Sequence, residues 1–547
     1  MNKTDNGSGP SLRLQDKKNL AWIALFVFLG SLTCYSVYCR QFIVVNQDVE
    51  IYMEVARNLL EGKGFTTNYR APFEIPFLPE QGGVLSKMNL RSLGHPLWLV
   101  PPMYFFANSE FAVLIYSTFF HLLTLVPLFL IARHIFDRRT ALVACLLFVG
   151  STHLAVIGLQ GFTNVPFVLI VMWALYFVFV REHQPYASVI VAALLIGIGA
   201  YFREDVSYLK LIFLGYLIAT SSGRQRWARP IIFWAIVYLA TYPKLLYFQH
   251  FFGINSTLPA PHLSYTFLNE LSDYPNWIAQ SHFVLPEFQE IIQKYWFELI
   301  LRAFSYFKTS LAFLFSQYAV IVVMGAIGAL ESLSNPRKRQ YAIFAWLAML
   351  GLLAQHTLSV PLPRYYHTPA IYLLPVAAWG LVSLYDRYAN KNPVARRMTI
   401  GVIAVLIAAA VLAILPPCFN KQQMKYNRRE RDYFLKVMNL VQSAVPEDAW
   451  IVTDKVVDIA YYARRSSILL PVKKDMLDEL VRDYHLPEDY YVMLGNFYYH
   501  RSHLYDPDFK KAVDQGLPIK GKPVVFMLNR KSYPIILFGP EKSKKKF

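Results

Sequence analysis

Four charged side chains lie close together in the stretch FREDVSYLK, residues 202–210, between two long apolar runs. They are Arg203, Glu204, Asp205 and Lys210. Ionisable groups at the edge of a lipid bilayer are costly, so they usually face a partner or a water-filled cavity and indicate a functional site. The structural alternative is that Arg203 pairs with a neighbouring carboxylate while Lys210 extends its ammonium group to the membrane surface. We favour a functional site because other charged residues are expected on the same side of the membrane.

Another carboxylate, Asp48, lies near the start of NQDVEIYMEVARNLLEGKGF, residues 46–65. Apolar residues recur there every three or four positions, which predicts a helix that ends before Gly62. Because this helix directly follows the first long apolar run, we expect it to lie along the membrane surface. An aspartate at a helix start commonly caps free backbone N–H groups, but here the carboxylate is also placed to act as a base toward a lipid-borne substrate.

Three further polar residues are expected near this surface: His95 in RSLGHPLWLVPPMYFF, Lys244 in TYPKLL and Arg364 in PLPRYYHTP. His95 is either a substrate contact or an interfacial histidine with a structural hydrogen bond. The two cations either neutralise lipid headgroups or bind phosphate, which is recognised by arginine and lysine donors. Cations beside carboxylates at one membrane surface favour a phosphate-carrying lipid as the ligand.

The composition of the chain is that of a membrane protein. Of its 547 residues, 55% are hydrophobic and only 16% are charged, and the hydrophobic residues form long runs. The formal net charge of +18 therefore indicates anionic headgroups and lipid phosphates as partners rather than nucleic acid. The four cysteines lie in or beside apolar runs and predict neither a disulfide framework nor a zinc site.

Apolar runs predict about eleven membrane-spanning helices. The runs lie at residues 20–39, 110–131, 140–159, 165–180, 186–202, 206–220, 230–247, 311–330, 341–357, 369–384 and 400–415. Lysine and arginine accumulate in alternate short loops, so the tail 1–19 is expected in the cytoplasm. The segments 41–109 and 250–309 and the chain after residue 416 then lie outside. We therefore expect the functional site on the outer side.

The last part of the chain, residues 418–547, differs from the rest. WIVTD, SILLPV, YYVMLG, PVVFML and YPIILFG predict strands, and KVVDIAYYARR predicts a helix between the first two. This pattern predicts a soluble extracytoplasmic α/β domain that follows a transmembrane domain over residues 20–417.

These motifs, in this order, resemble the GT-C membrane glycosyltransferases, which use polyprenyl-phosphate-linked sugars and include protein O-mannosyltransferases and aminoarabinose transferases. The resemblance rests on Asp48 after the first span, on GHPLW around His95, and on GIGAYFRED with Arg203 and Asp205. A late arginine-tyrosine pair, Arg364 and Tyr365, opens a proline-rich span in PRYYHTPAIYLLP. Many members also have an acidic residue in the second outer loop, where this chain has GLQGFTNVP.

The resemblance implies an inverting transfer of a hexose or pentose from a polyprenyl-phosphate donor to a glycan, lipid or protein hydroxyl. It makes Asp48 the general base and gives substrate-binding roles to Arg203, Asp205, Arg364 and Tyr365. His95, Lys210 and Lys244 complete the predicted substrate-binding set. Because an amide replaces the loop acid, we expect no obligatory metal, and a divalent cation stays an open alternative.

Two other functions stay open at the level of sequence. A polysaccharide polymerase or ligase acting on lipid-linked glycans also needs outer arginines beside the membrane. A lipid or sugar transporter would contain many spans and buried charges, but the large outer segments and the lack of a clear internal repeat argue against it. We expect a bacterial inner or plasma membrane as the location, with the active site facing away from the cytoplasm.

Overall fold

The computed structural model consists of a helical bundle followed by a region of mixed helices and strands. It describes residues 10–40, 47–70, 86–87, 92–106, 109–181, 185–252, 267–268, 271, 286–358, 361–389, 397, 401, 421–483, 486–495, 506–515, 517–528 and 535–540.

The helices are numbered α1 to α17 in chain order. They are Pro10–Arg40, Gln47–Leu60, Gly94–Phe105, Ser109–Leu123, Leu125–Ile135, Arg138–Gly150, Thr152–Leu159, Asn164–Val180, Pro185–Gly199, Val206–Thr220, Gln225–Phe252, Phe288–Glu331, Pro336–Leu358, His367–Ala389, Lys421–Ala444, Asp475–Arg482 and Pro507–Gln515. A 3₁₀ turn, Pro363–Tyr366, precedes α14, and two short helical turns, Val456–Asp458 and Ile459–Ala463, lie between α15 and α16.

Apolar helices of spanning length are present, as the sequence predicts. Among the described residues, four stretches are long and apolar enough to cross a membrane: Glu110–Ile135, Gln225–His250, Phe288–Glu331 and Pro363–Arg387. The pair α6 and α7, bent by 63°, adds a fifth if it is one span, and α1, α8, α9 and α10 contain shorter apolar helices. Every predicted run up to residue 384 coincides with helix, whereas the run 400–415 lies almost wholly outside the described residues. The number of about eleven spans stays a prediction.

Helix α12 is longer than the apolar run from which it was predicted. It begins at Phe288, inside the segment 250–309 that was expected to be an outer loop. Its first half carries charged residues such as Glu290 and Glu298, so hydropathy alone did not reveal it. The backbone leaves helical geometry at Tyr295 and Tyr318, which places kinks within the helix.

The bundle is closed by a tight crossing of α12 and α14. Gly328 of α12 lies so close to α14 that a Cβ atom there would be 1.9 Å from the carbonyl oxygen of Val376. A Cβ atom at Gly380 of α14 would lie 2.3 Å from the carbonyl oxygen of Met324 and 2.8 Å from the backbone nitrogen of Gly328. Small residues at such a crossing allow two backbones to approach within the bilayer, where apolar side chains gain little from burial against each other.

A six-stranded mixed sheet dominates the last part of the chain. Its strands are β2 Tyr69–Arg70, β4 Trp450–Thr453, β5 Ser466–Leu469, β6 Tyr491–Leu494, β7 Val524–Leu528 and β8 Ile535–Phe538, and a separate pair joins β1 Thr66–Thr67 to β3 Ser86–Lys87. The strand order is β2-β5-β4-β6-β8-β7, with β4 parallel to β5 and β6 and with β8 antiparallel to its neighbours. All five strands predicted after residue 449 are confirmed.

The two faces of this sheet are buried against different helices. Ile451, Met493 and Leu537 pack with α15, whereas Val452 and Ile536 pack on the opposite face with α16. Neighbouring residues of a strand point to opposite faces, so near-continuous apolar strands of this kind belong to a sheet covered on both sides.

The edge strand β2 comes from the first predicted outer segment, 41–109, and was not predicted. Tyr69 pairs with Ser467 and Arg70 with Ile468, in parallel register. The sheet therefore takes one of its strands from a part of the chain that lies nearly 400 residues earlier. This link holds the segment that follows α2 against the last region of the chain.

Helix α2, predicted within residues 46–65 to end before Gly62, is confirmed over Gln47–Leu60. Val49 and Met53 belong to an apolar cluster that includes Leu99 of α3, Val113 of α4 and Val457 of the C-terminal region. At its other end, the Arg57 guanidinium donates to the backbone oxygen of Tyr461 at 2.6 Å and to that of Ala460 at 3.2 Å. Helix α2 is thus held between the helical bundle and the C-terminal region.

We predict that Gly328→Ala destabilises the protein by about 2–3 kcal/mol, because the new methyl group overlaps a backbone carbonyl that has no side-chain freedom to move away. The control is Gly215→Ala in α10, where nothing lies within 4 Å of the added Cβ. Thermal unfolding of both variants in one detergent measures the difference. Equal melting temperatures for the two variants would contradict the close crossing.

Candidate active site

Arg203 lies in the turn between α9 and α10 and is held by two side chains. Its Nε atom donates to Oδ2 of Asp205 at 2.5 Å, and a terminal nitrogen donates to Oδ1 of Asn164 at 2.5 Å. The guanidinium also lies over the ring of Tyr365, 5.3 Å from the ring centre. Asp205 accepts a further hydrogen bond from Gln355 at 3.4 Å. The sequence alternative in which Arg203 pairs with a neighbouring acid is correct, and that acid is Asp205.

Asp48 and Arg364 form a second ion pair. A terminal nitrogen of Arg364 lies 2.5 Å from Oδ2 of Asp48, in the first turn of α2. The Asp48 side chain is 30% exposed and that of Arg364 is 22% exposed, so the pair opens to solvent. The Arg364 guanidinium also packs over Phe162, at 4.9 Å, and over Tyr365, at 5.5 Å. An ion pair that is partly open and flanked by aromatic rings is accessible to a ligand.

The two ion pairs are joined by Asn164. Its Oδ1 atom accepts a hydrogen bond from Arg203, and its Nδ2 atom donates one to the backbone oxygen of Arg364 at 2.7 Å. Four segments of the chain, those of Asp48, Asn164, Arg203 and residues 355–364, therefore meet at one end of the bundle. We refer to Asp48, Asn164, Arg203, Asp205 and Arg364 as the arginine cluster.

His95 lies beneath the loop that leads to Asn164. It is fully buried, its Nε2 atom lies 2.7 Å from the backbone oxygen of Gly161, and Nδ1 lies 3.4 Å from the hydroxyl of Tyr116. Burial lowers the pKa of His95 to about 4, although the Gly161 carbonyl acts in the opposite direction, so the ring is neutral at pH 7. The geometry gives His95 a structural hydrogen bond, as in the alternative noted from the sequence, and its contact with substrate stays a prediction.

The two lysines predicted as phosphate contacts are not part of the arginine cluster. Lys244 is buried, and its Nζ atom lies 2.5 Å from Oε1 of Glu204 and 3.0 Å from the backbone oxygen of Ala200. Glu204 and Asp205 are thus neighbours in sequence that pair with different cations. Lys210 is half-buried in α10, and no hydrogen bond or ion pair joins it to the described residues of the arginine cluster. A phosphate contact by either lysine stays a prediction.

Several residues of the site were not predicted as site residues from the sequence. In the sequence, Asn164 stands out only as an amide at a place where many GT-C members have an acid. Its contacts with both arginines were not predicted. Gln355 and His356 end the apolar run of α13, and the His356 ring stacks on Tyr365 at 4.2 Å between centres. Polar residues at the outer end of a predicted span are the signal that could have revealed this pair.

Metal ligands do not come together in the part of the chain that the structure describes. No group of three or more His, Cys, Asp or Glu side chains there has the arrangement of a metal site. The expectation that no metal is obligatory remains a prediction.

A buried carboxyl group, Glu54, lies on α2 beyond Asp48. Its Oε1 atom accepts from the backbone N–H of Asn68 at 2.7 Å. Burial raises the pKa of Glu54 to about 7, against the opposing influence of Arg57, the Asn68 N–H and Lys63. The group therefore titrates near neutral pH, next to the segment that leads into β2.

The chain is similar in sequence or in fold to known proteins. Residues 97–247 match the family model of the dolichyl-phosphate-mannose-protein mannosyltransferases. The solved structure of ArnT from Cupriavidus metallidurans bound to undecaprenyl phosphate is similar with a TM-score of 0.61 at 12% identity, over 94% of this chain and 98% of ArnT. The fold is GT-C. An apo structure of the same ArnT gives a TM-score of 0.60 at 11% identity, over 95% of this chain and 98% of ArnT.

A second GT-C protein has a similar structure. The archaeal oligosaccharyltransferase AglB from Archaeoglobus fulgidus, in complex with an inhibitory peptide and a dolichol-phosphate, gives a TM-score of 0.56 at 11% identity. The match covers 88% of this chain and 69% of AglB. Comparison with curated protein sequences gave no match. The GT-C resemblance stated from the motifs is confirmed.

We predict that Arg203 and Asp205 are strongly coupled, because both side chains are nearly buried and the loss of one leaves the other unpaired. A cycle of Arg203→Gln, Asp205→Asn and the double variant should give a coupling free energy above about 1.5 kcal/mol in thermal unfolding. The exposed pair Arg139 and Asp386 is the control, with an expected coupling of about 0–1 kcal/mol. Equal coupling in the two cycles would argue against a buried ion pair.

We predict that Glu54→Gln makes the protein more stable at alkaline pH. The folded-state pKa of Glu54 is raised to about 7, so the stability that its protonated form provides is present below its usual pKa and lost as pH rises through 7. The variant should match wild type near pH 4 and exceed it by about 2–3 kcal/mol near pH 8.5. Melting temperatures at the two pH values test this, with the exposed Glu61→Gln as control.

Proposed function

We propose that this protein transfers a sugar from a polyprenyl-phosphate-linked donor to a hydroxyl group of an acceptor, at the extracytoplasmic face of a membrane. The observation that carries the proposal is the partly open ion pair of Asp48 and Arg364 at the end of a GT-C bundle. It combines a carboxylate that can accept a proton with a guanidinium that can bind phosphate. The mannosyltransferase family match and the lipid phosphates in the names of the two similar structures support a donor of this class.

The reaction requires one bond to form and one to break at the anomeric carbon of the sugar. The acceptor oxygen attacks this carbon from the side opposite the phosphate, and its proton passes to Asp48. The bond between the anomeric carbon and the phosphate oxygen breaks, and its electron pair leaves with the lipid phosphate. Such an in-line displacement inverts the configuration. A correctly placed base typically contributes about 10²- to 10⁴-fold to the rate.

Arg364 binds the departing phosphate in this mechanism. A guanidinium has five N–H donors, so a contact with Asp48 through one nitrogen leaves donors for phosphate oxygens. The phosphate gains negative charge as it leaves, and fixed cations stabilise that charge more in the transition state than in the bound donor. No leaving-group acid is needed, because the lipid phosphate departs as a stable anion.

Arg203 and Asp205 have supporting roles in the proposal. Arg203 adds a second positive charge near Arg364, because both guanidinium groups lie over the same ring, that of Tyr365. Asp205 keeps Arg203 in place through the 2.5 Å contact and orients sugar or acceptor hydroxyls. Tyr365 positions the two guanidinium groups, because both lie over its ring and the ring is itself stacked on His356.

The location is proposed from the charges of the loops, and the class of acceptor stays open. The alternation of basic loops favours an outer location for the arginine cluster, in a bacterial inner or plasma membrane. The C-terminal α/β region packs against α2 and is proposed to lie over the site and to contact the acceptor. The matched family and AglB have a protein and a peptide in their names, whereas ArnT is named with a lipid phosphate only, so glycan, lipid and protein hydroxyls all stay open as acceptors.

We predict that Asp48→Asn abolishes sugar transfer, by at least about 10²-fold, while the protein folds and is made at the normal level. The measurement is mass spectrometry of glycolipids and glycoproteins from cells that carry the wild-type gene, Asp48→Asn or no gene. Glu61→Gln, an exposed acid just beyond α2, is the matched control and should retain transfer.

The outcomes separate the candidate functions. A sugar-bearing product that disappears with both the deletion and Asp48→Asn supports the transferase, and a product extended by many repeating units indicates a polymerase instead. Unchanged glycoconjugates in the deletion strain, or movement of a lipid across the membrane without cleavage of its sugar bond, would overturn the proposal.

A further inference from the structure

Asn164 touches both arginines of the cluster through hydrogen bonds. It is the first residue of α8 and only 1% of it is exposed. Its Oδ1 atom accepts a hydrogen bond from the Arg203 guanidinium, and its Nδ2 atom donates one to the backbone oxygen of Arg364. A buried amide with both ends satisfied is a rigid connection, because breaking either bond leaves a polar atom unpaired.

The chemistry of the two partners requires an amide here. A guanidinium only donates and a backbone carbonyl only accepts, so the oxygen of Asn164 must face Arg203 and its nitrogen must face Arg364. Aspartate has the same shape but cannot donate to the carbonyl, and alanine makes neither bond. Among residues of this size, only asparagine satisfies both partners.

An amide also preserves the charge balance of the cluster. Two arginines already face two aspartates, through the pairs of Arg203 with Asp205 and of Arg364 with Asp48. A third carboxylate at position 164 would lie at hydrogen-bond distance from Arg203. It would compete with an anionic ligand for the same guanidinium.

The loop before Asn164 supports Arg364 a second time. Phe162 lies beneath the Arg364 guanidinium at 4.9 Å, while Asn164 holds the backbone of the same residue. The loop is itself fixed by His95, which bonds to the carbonyl of Gly161. The side chain and the backbone of Arg364 are therefore both positioned by residues 161–164.

We propose that Asn164 is a positioning residue that sets the separation of the Arg203 and Arg364 guanidinium groups, and that this separation makes the cluster selective for a lipid phosphate over a neutral lipid. The inference rests on the proposed function, since it concerns how the same site recognises its donor. Two cations held beside one ring form a site for an anion with several oxygens.

The test measures binding of two lipids that differ only in the headgroup. Purified full-length protein is titrated with undecaprenyl phosphate and, separately, with undecaprenol, and bound lipid is counted by native mass spectrometry. We expect wild type to prefer the phosphate, and we expect Asn164→Ala and Asn164→Asp to reduce this preference at least tenfold. Asn164→Asp should lose most, since it adds a negative charge.

The matched control is Asn58→Ala in α2. Asn58 is also a buried asparagine, and its Nδ2 atom donates to the backbone oxygen of Thr66 at 2.8 Å, but it touches neither arginine. This variant should lose similar stability and keep the preference for the phosphate. If Asn58→Ala loses the preference for the phosphate as strongly as Asn164→Ala, general destabilisation explains both losses. The inference is then overturned.

The remaining outcomes distinguish the two proposals. If wild type prefers undecaprenyl phosphate and both Asn164 variants keep that preference, the positioning role is wrong and the proposed function stands. If wild type does not distinguish the two lipids, the proposed donor class is wrong and the inference fails with it. Should Asn164→Ala not yield folded protein, the nearly isosteric Asn164→Asp decides.

Discussion

Two guanidinium groups lie at one end of an apolar bundle, and each is matched by a carboxylate. Arg203 faces Asp205, and Arg364 faces Asp48. Charge that is removed from water is tolerated only when it is paired and hydrogen-bonded, so these four side chains constrain every segment that contributes one of them. The turn after α9, the first turn of α2 and the 3₁₀ turn before α14 must all meet. The packing of the helices brings them together, and the amide of Asn164 joins the two pairs.

The two pairs differ in a way that suits different roles. The Arg203 and Asp205 side chains are nearly buried, whereas those of Asp48 and Arg364 are 30% and 22% exposed. A buried pair is a fixed structural element, because separating it leaves an unpaired charge in a poorly solvated place. A partly open pair can exchange one contact for a ligand at much lower cost. The arginine cluster thus combines one fixed, buried ion pair with a second ion pair that a ligand can reach.

The sequence predicted the residue types that meet in the arginine cluster, but not their contacts, and the side of the membrane stays a prediction. Asp48, Arg203, Asp205 and Arg364 were assigned to one face because basic loops alternate along the chain. Which acid faces which arginine depends on helix packing, and hydropathy contains no information about it. For this reason the sequence did not predict which cation each of the neighbours Glu204 and Asp205 pairs with. In the structure, Glu204 faces Lys244 and Asp205 faces Arg203.

The same limit applies to the C-terminal region. Five strands were recognised from short apolar runs, because each run fills both faces of a covered sheet. Strand β2 was missed since it has only two residues, and its partner β5 lies far along the chain. Helix α12 was predicted only in part, because charged residues hide its first half from hydropathy. Local pattern reveals elements, whereas pairing over long separations is decided by the tertiary structure.

The pairing of β2 with β5 has a consequence for how the chain is made. Ribosomes add about 5–20 residues per second, so the strand at Tyr69 waits roughly 20–80 s before its partner at Ser467 has been synthesised. During that interval one flank of α2 has no cover from the C-terminal region. A message truncated before β5 would still encode every membrane helix up to α14, yet its product would keep the helix of Asp48 uncovered on that flank.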